Sequence, residues 1–215
     1  MSTVRLLHNQ IHLSLHELRG GTGRPLLLLH GLGEASPAEV PSAAADWPGP
    51  IHALDFTGHG TSDIPQGGGY SAEILLADAD VALHHLGTAT VVGSGLGAYV
   101  ALLLCGAQPT LVRGAVLCDG PGLWGGSTGP TSNSFVIPTP SSTAPDRFAL
   151  LELSRDLRPR DYATLFVRLA LEHSGVDEPI SVAAIVRPHW LAAVVDEVGV
   201  VERSLRESLA HYATV

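Results

Sequence analysis

Apolar and polar positions alternate at the start of the chain. Val4 and Leu6, then Ile11, Leu13 and Leu15, sit at every second place, the period of a strand with one buried face. After a glycine-rich turn at 20–23 the pattern changes to a short continuous apolar run at 25–29. Bounded by turn residues, such a run predicts a strand buried on both faces of a parallel sheet. Residues 51–55 read the same way, as do 89–92 and 115–118. Helical spacing covers 71–86 and 96–105, and Ser36-Pro37-Ala38-Glu39 has the spelling of a helix start. Strands alternating with helices imply repeated βαβ units, hence a mostly parallel sheet with helices on both faces. Ligands bind such sheets at the carboxyl ends of the strands, here His30-Gly31, Asp55, Gly93-Ser94-Gly95 and Asp119.

The second half has a different texture. Residues 121–146 are rich in Gly, Pro, Ser and Thr and predict a long loop. From Arg147 onward only helical pairs are visible: Phe148 with Leu151, Tyr162 with Phe166, Trp190 with Val194, Leu205 with Leu209. Glu202 and Arg206 have the spacing of an ion pair across one helical turn. The predicted organisation is an α/β core over 1–120, the loop at 121–146, and helices over 147–215 that pack on the core as a lid, all in one domain.

Composition narrows the function classes. The 215 residues carry a net charge of −9 and no basic block, which argues against nucleic acid or an anionic membrane as partner. Cys105 and Cys118 lie in apolar runs and read as buried reduced thiols. No leader pattern and no membrane-length apolar stretch is visible, so the expected location is cytoplasmic. The adjacent His84 and His85 cannot share a helix face, and no metal spacing, phosphate loop or dinucleotide fingerprint occurs. Neither a metal nor a cofactor is expected.

The candidate chemistry centres on Val92-Gly93-Ser94-Gly95-Leu96-Gly97-Ala98, a glycine-rich corner between a strand and a helix. Two further motifs precede it: Leu28-Leu29-His30-Gly31-Leu32-Gly33, and Asp55-Phe56-Thr57-Gly58-His59-Gly60-Thr61-Ser62. In this order and spacing the three resemble the HG oxyanion loop, the D-x-x-G-H-G-x-S segment and the nucleophile elbow of the α/β-hydrolase superfamily. The resemblance covers roughly the first half of the chain. It implies a pocket above the sheet, bounded by a helical lid, with the backbone amides of Leu32 and Leu96 as oxyanion donors.

Two departures qualify what the resemblance implies. Gly95 stands where the elbow holds its serine, and glycine has no oxygen to attack with. Ser94 is one place early: centring the elbow on it would put bulky Val92 and Leu96 where strand and helix approach closely. Ser94 is either a displaced nucleophile or a small side chain packed beneath the corner. The second departure concerns the C-terminal half, where His173, His189 and His211 follow no strand-like run. The sequence therefore predicts a truncated fold without the last two strands, leaving an open sheet edge near Cys118 for the C-terminal helices or a second copy in a homo-oligomer to cover. Asp119 reads as a pocket carboxylate or as a turn aspartate bonding the amides of Gly120 or Gly122. His30 and His59 read as loop-stabilising groups, with His30 the candidate base for an activated water. The spelling Gly93 to Tyr99 is also similar to the corner of the NDRG group, which is regarded as non-hydrolytic.

Three functions follow as expectations. The first is a protein without the usual triad that binds a small, partly apolar ester- or acid-like ligand through His30, Gly31, Leu32, Ser94, Gly95, Leu96 and Asp119. The second is a weak hydrolase using Ser94 or a histidine-activated water, and the third is an assembly role for the sheet edge.

Overall fold

A computed structural model describes residues 2–126 and 142–215. Among the described residues an eight-stranded sheet forms the centre, in the order β1-β2-β4-β3-β5-β6-β7-β8. Its strands are β1 Ser2–His8, β2 Ile11–Arg19, β3 Leu26–Leu29, β4 Ile51–Asp55, β5 Ala89–Ser94, β6 Val112–Cys118, β7 Ile180–Val182 and β8 Val200–Glu202. The β1–β2 hairpin and the β2–β4 pair are antiparallel, and every other pairing is parallel. The predicted α/β class is the observed one.

The sheet does not stop at Cys118. Ala115, Val116 and Leu117 pair with Ile180, Ser181 and Val182, and β7 in turn pairs with β8. The expectation of two absent strands and a bare edge beside Cys118 is therefore corrected. Each added strand is three residues long, too short to show a period of two in the sequence. The tail of the chain is thus strand–helix–strand–helix: β7, α5 His189–Val195, β8, α6 Leu205–Tyr212. This also removes the Glu202–Arg206 pair, because Glu202 lies in β8. Arg187 bonds Glu202 at 2.7 Å instead, and Arg206 faces Asp46.

The helix expected from Ser36 is absent as well. Only a 3-10 turn, Ser42–Ala44, connects β3 to β4 on that side. The backbone amide of Ser36, which a cap would leave free, donates to Asp55 Oδ1 at 2.7 Å. Pro41 then forbids the continuation that Pro37 invites. By contrast the expected helix at 71–86 forms as α1 Ala72–Leu86, capped by the Ser71 side chain on the Ile74 amide.

The strand alternation divides the core in two. Leu27, Leu29 and Val91 join α1, α2 Leu96–Ala107, α4 Arg160–His173 and α5 on one face. Eleven of the twelve residues of α2 are buried, as suits a helix with sheet below and helices above. Leu26, Val92 and Val116 face the other way, toward Trp47, Ala44, Leu209 and Tyr212. Among the described residues, the helical cover on that face is the 3-10 turn and α6. The helix α3 Arg147–Arg155 lies near the carboxyl ends of the strands, where Leu150 approaches Gly33.

Candidate functional site

The corner after β5 is built on Gly95, the N-cap of α2, with φ 59° and ψ −118°. That left-handed conformation is adopted without strain by glycine alone. Gly93 and Gly97 flank it and permit close contact: an added Cβ at Gly93 would strike the Gly97 carbonyl, and one at Gly97 the Leu29 carbonyl. The tight strand–helix turn is therefore centred on Gly95 and not on Ser94.

The space above Gly95 is filled by the chain itself. Pro121, in the loop after β6, turns its carbonyl oxygen into the corner. The Leu32 amide donates to it at 3.0 Å and the Leu96 amide at 2.9 Å. These are the two amides expected to cradle an oxyanion, and one backbone oxygen satisfies both. An added Cβ at Gly95 would land against that same oxygen, and one at Gly31 would meet it at 2.9 Å. The Gly95 amide is also engaged, donating to the Cys118 carbonyl at 3.1 Å. Leu32, Gly31, Gly95 and Leu96 are thus gathered as the motifs imply, around a carbonyl of this chain. The sequence gives one hint of this: glycines on both sides of Pro121 allow the backbone to lie close.

His30 is buried and both its ring nitrogens are occupied. Nδ1 lies 2.7 Å from the Gly31 carbonyl, and Nε2 accepts from the Phe56 amide at 3.2 Å. The partners assign the proton to Nδ1. Burial, with neighbouring His59 adding to it, lowers the pKa to about 4, against the opposing pull of the Gly31 carbonyl and Asp55. The imidazole is neutral at pH 7 and its one lone pair is in use, so it ties loop to strand. Asp119 likewise serves the backbone. Its Oδ2 accepts from the Ile185 amide at 2.6 Å and its Oδ1 from the Val186 amide at 2.9 Å, joining β6 to the loop after β7. Its partners are not the Gly120 and Gly122 amides that a local turn would use. Asp55 holds the remaining loops. Burial would raise its pKa, but the Thr61 amide, His16 and the Ser36 amide outweigh that and bring it to about 2.

Ser94 is turned away from this assembly. As the last residue of β5 it shares a face with Val92, and both line a cavity of about 360 Å³ on the α6 side of the sheet. Leu28, Leu205 and Leu209 supply apolar wall, and Ser36 and Glu34 add polar groups. The Ser36 hydroxyl is buried and makes no well-formed hydrogen bond, although it lies near enough to Asp55 to help hold that carboxylate ionised. Glu34 accepts the Gly31 amide at 3.0 Å. The cavity exists because the β3–β4 connection makes a single turn where a helix would cover the sheet. Sequence reasoning missed Ser36, Leu205 and Leu209 as its lining, since it placed the first in a helix start and the others in a lid. Among the described residues no cluster of side chains could hold a metal ion, and no helix is long and apolar enough to cross a membrane.

A family model described as the alpha/beta hydrolase family matches residues 26–214. The chain belongs to the alpha/beta hydrolase family. No curated protein matches its sequence. Among solved structures, the thioesterase domain from the curacin biosynthetic pathway is 16% identical with a TM-score of 0.62, over 100% of this chain and 98% of that one. An N-formylmaleamic acid deformylase from Pseudomonas putida S16 is 16% identical with a TM-score of 0.58, over 94% and 92% of the two chains. A probable hydrolytic enzyme from Pseudomonas aeruginosa PAO1 is 22% identical with a TM-score of 0.47, and the match spans 54% of this chain and 39% of that one. At these identities the thioesterase domain and the deformylase show that the fold is shared, and no more.

Proposed function

We propose that this alpha/beta hydrolase family member binds a small, mostly apolar, ester-like molecule without hydrolysing it, in the cavity beside Ser94. The observation that carries the non-hydrolytic part is the Pro121 carbonyl on the Leu32 and Leu96 amides, above a glycine at the corner. A hydrolase keeps those donors free for charge that develops in the transition state. Here they are spent on a permanent neutral partner. The His30 and Asp119 hydrogen bonds support the same reading, because neither group is left to act as base or orienting acid.

The binding part rests on the cavity. Its volume of about 360 Å³ suits a small ligand. The walls are chiefly aliphatic, with the hydroxyls of Ser36 and Ser94 available to an ester carbonyl. Glu34 contributes a carboxylate at the rim, which disfavours an anionic ligand and favours a neutral ester over an acid.

Purified protein is expected to show no turnover of 4-nitrophenyl butyrate above buffer, and Gly95→Ser is expected to gain none. The variant should lose about 2 kcal/mol in urea unfolding, from a strained φ and a displaced Pro121 carbonyl. Methyl hexanoate should raise the wild-type melting temperature, and Ala43→Phe, which fills the cavity wall, should abolish that shift. Turnover that disappears in Ser94→Ala, or a serine-directed phosphonate found on Ser94, would replace this reading with an unorthodox hydrolase. Identical ester responses in wild type and Ala43→Phe would remove the cavity from it.

A further inference from the structure

The loop between α3 and α4 holds a buried cation, Arg158, that makes no ion pair among the described residues. Arg158 is only 7% exposed. Its Nη1 donates to the carbonyls of Gly122 and Leu123, the latter at 2.7 Å. Its guanidinium lies over the Tyr99 ring, 5.0 Å from carbon to centroid. The Nε and Nη2 groups, which together form the side-on fork of a guanidinium, are buried with no hydrogen-bond partner. Asp156 is near enough to favour the charged guanidinium, but its Oδ2 accepts from the Ala72 amide at 3.0 Å and it makes no hydrogen bond to the fork. Residues 127–141 contain no Asp or Glu, so that segment has no carboxylate to offer. Burial lowers the Arg158 pKa to about 10, with Asp156 and Tyr99 opposing, and the group stays charged at neutral pH.

Buried charges in folded proteins are almost always paired, because an unpaired one forfeits its hydration for nothing. The missing partner has a place to come from. A second cavity, of about 380 Å³, is lined by Arg158 together with Trp124, Leu157, Pro159, His189 and Trp190. Trp124 and Leu157 are 58% and 68% exposed, an apolar pair at the surface that nothing described covers. Trp190 is fixed beneath by its Nε1 bond to the Leu123 carbonyl at 2.9 Å and by edge contact with Tyr99.

We propose that this cavity is a binding site for a small organic carboxylate with an aromatic or aliphatic body. The two carboxylate oxygens take the Nε and Nη2 protons of Arg158, the planar two-point match that a guanidinium fork makes best. The body lies against Trp124 and Leu157. A phosphate would seat two oxygens equally well but leave the others against apolar walls, unpaired. Gly125, another lining residue, lies against the Arg158 stem, where an added Cβ would meet Cγ at 2.8 Å. The site is separate from the cavity beside Ser94, so its test leaves the proposed function untouched.

The probe is phenylacetate, read by tryptophan emission of the full chain, with methyl phenylacetate and inorganic phosphate alongside. Phenylacetate is expected to give a saturable change that the ester and phosphate do not. Arg158→Gln should weaken it at least about tenfold, the loss of a charged two-point hydrogen bond. In parallel, the Arg158 Nε–H resonance of ¹⁵N-labelled wild type should move on titration, a readout that stands even if the variant does not fold. A stationary Nε–H resonance at phenylacetate up to about 10 mM, or equal responses to acid and ester, would overturn the proposal. A larger response to phosphate would overturn the carboxylate assignment.

Discussion

The two faces of the sheet are covered in opposite ways. On one, α2 is buried along nearly its whole length between strands and the helices α1 and α4. On the other, a three-residue turn and α6 leave a cavity against Leu28 and Val92. The strand β5 passes between them, and its side chains alternate from face to face. That alternation explains the corner. A serine moved one place from the elbow tip does not become a slightly displaced nucleophile. It crosses to the other face of the sheet, as any one-residue slip in a strand does. Ser94 thereby leaves the space that Pro121 occupies and joins the open side.

If packing density separates the faces, truncation on the closed side must be costly. Trp190 is 1% exposed and packs on Tyr99 in that core. Trp190→Ala is expected to lose about 3–5 kcal/mol in urea unfolding. A loss under about 1 kcal/mol would break the comparison.

The second test concerns the junction between the faces, where His30 sits. Its folded pKa of about 4 lies below the ordinary 6.5. Between those values the unfolded chain binds a proton that the folded chain does not. Stability from this group is therefore complete above pH 6.5 and declines as pH falls toward 4, by about 3 kcal/mol in total. His30→Gln should flatten that arm of a stability–pH profile. An unchanged slope would mean that the ring titrates normally.

The smallest effect belongs to the open face. Ser36 contributes a buried hydroxyl with no well-formed hydrogen bond. Ser36→Ala should be neutral or stabilise by up to about 1 kcal/mol without ligand, since it removes a poorly satisfied group. It should also reduce the methyl hexanoate shift. A clear destabilisation would show that the hydroxyl is already satisfied, by Asp55 or by water.

The long central elements were legible because each carries its own signal. Continuous apolar runs at 25–29, 51–55, 89–92 and 115–118 correspond to β3, β4, β5 and β6, and the helical spacing at 71–86 and 96–105 to α1 and α2. The glycine pattern located the corner, because backbone approach at Gly93 and Gly97 excludes side chains. The short elements were not legible. β7 and β8 have three residues each, and their pairing is decided by neighbouring strands. The helix spelled at Ser36 is stopped by Pro41, and the Ser36 amide is held instead by the Asp55 carboxylate.

The sequence by itself determined the class of fold, the order of the central strands and helices, and the absence of a side-chain oxygen at position 95. Tertiary structure decided which face Ser94 belongs to, that His30 and Asp119 serve the backbone, and that the Leu32 and Leu96 amides hold Pro121. The reason is physical. Side-chain periodicity is written locally, whereas a carbonyl oxygen is common to every residue and acquires a role only when the folded chain brings distant amides to it.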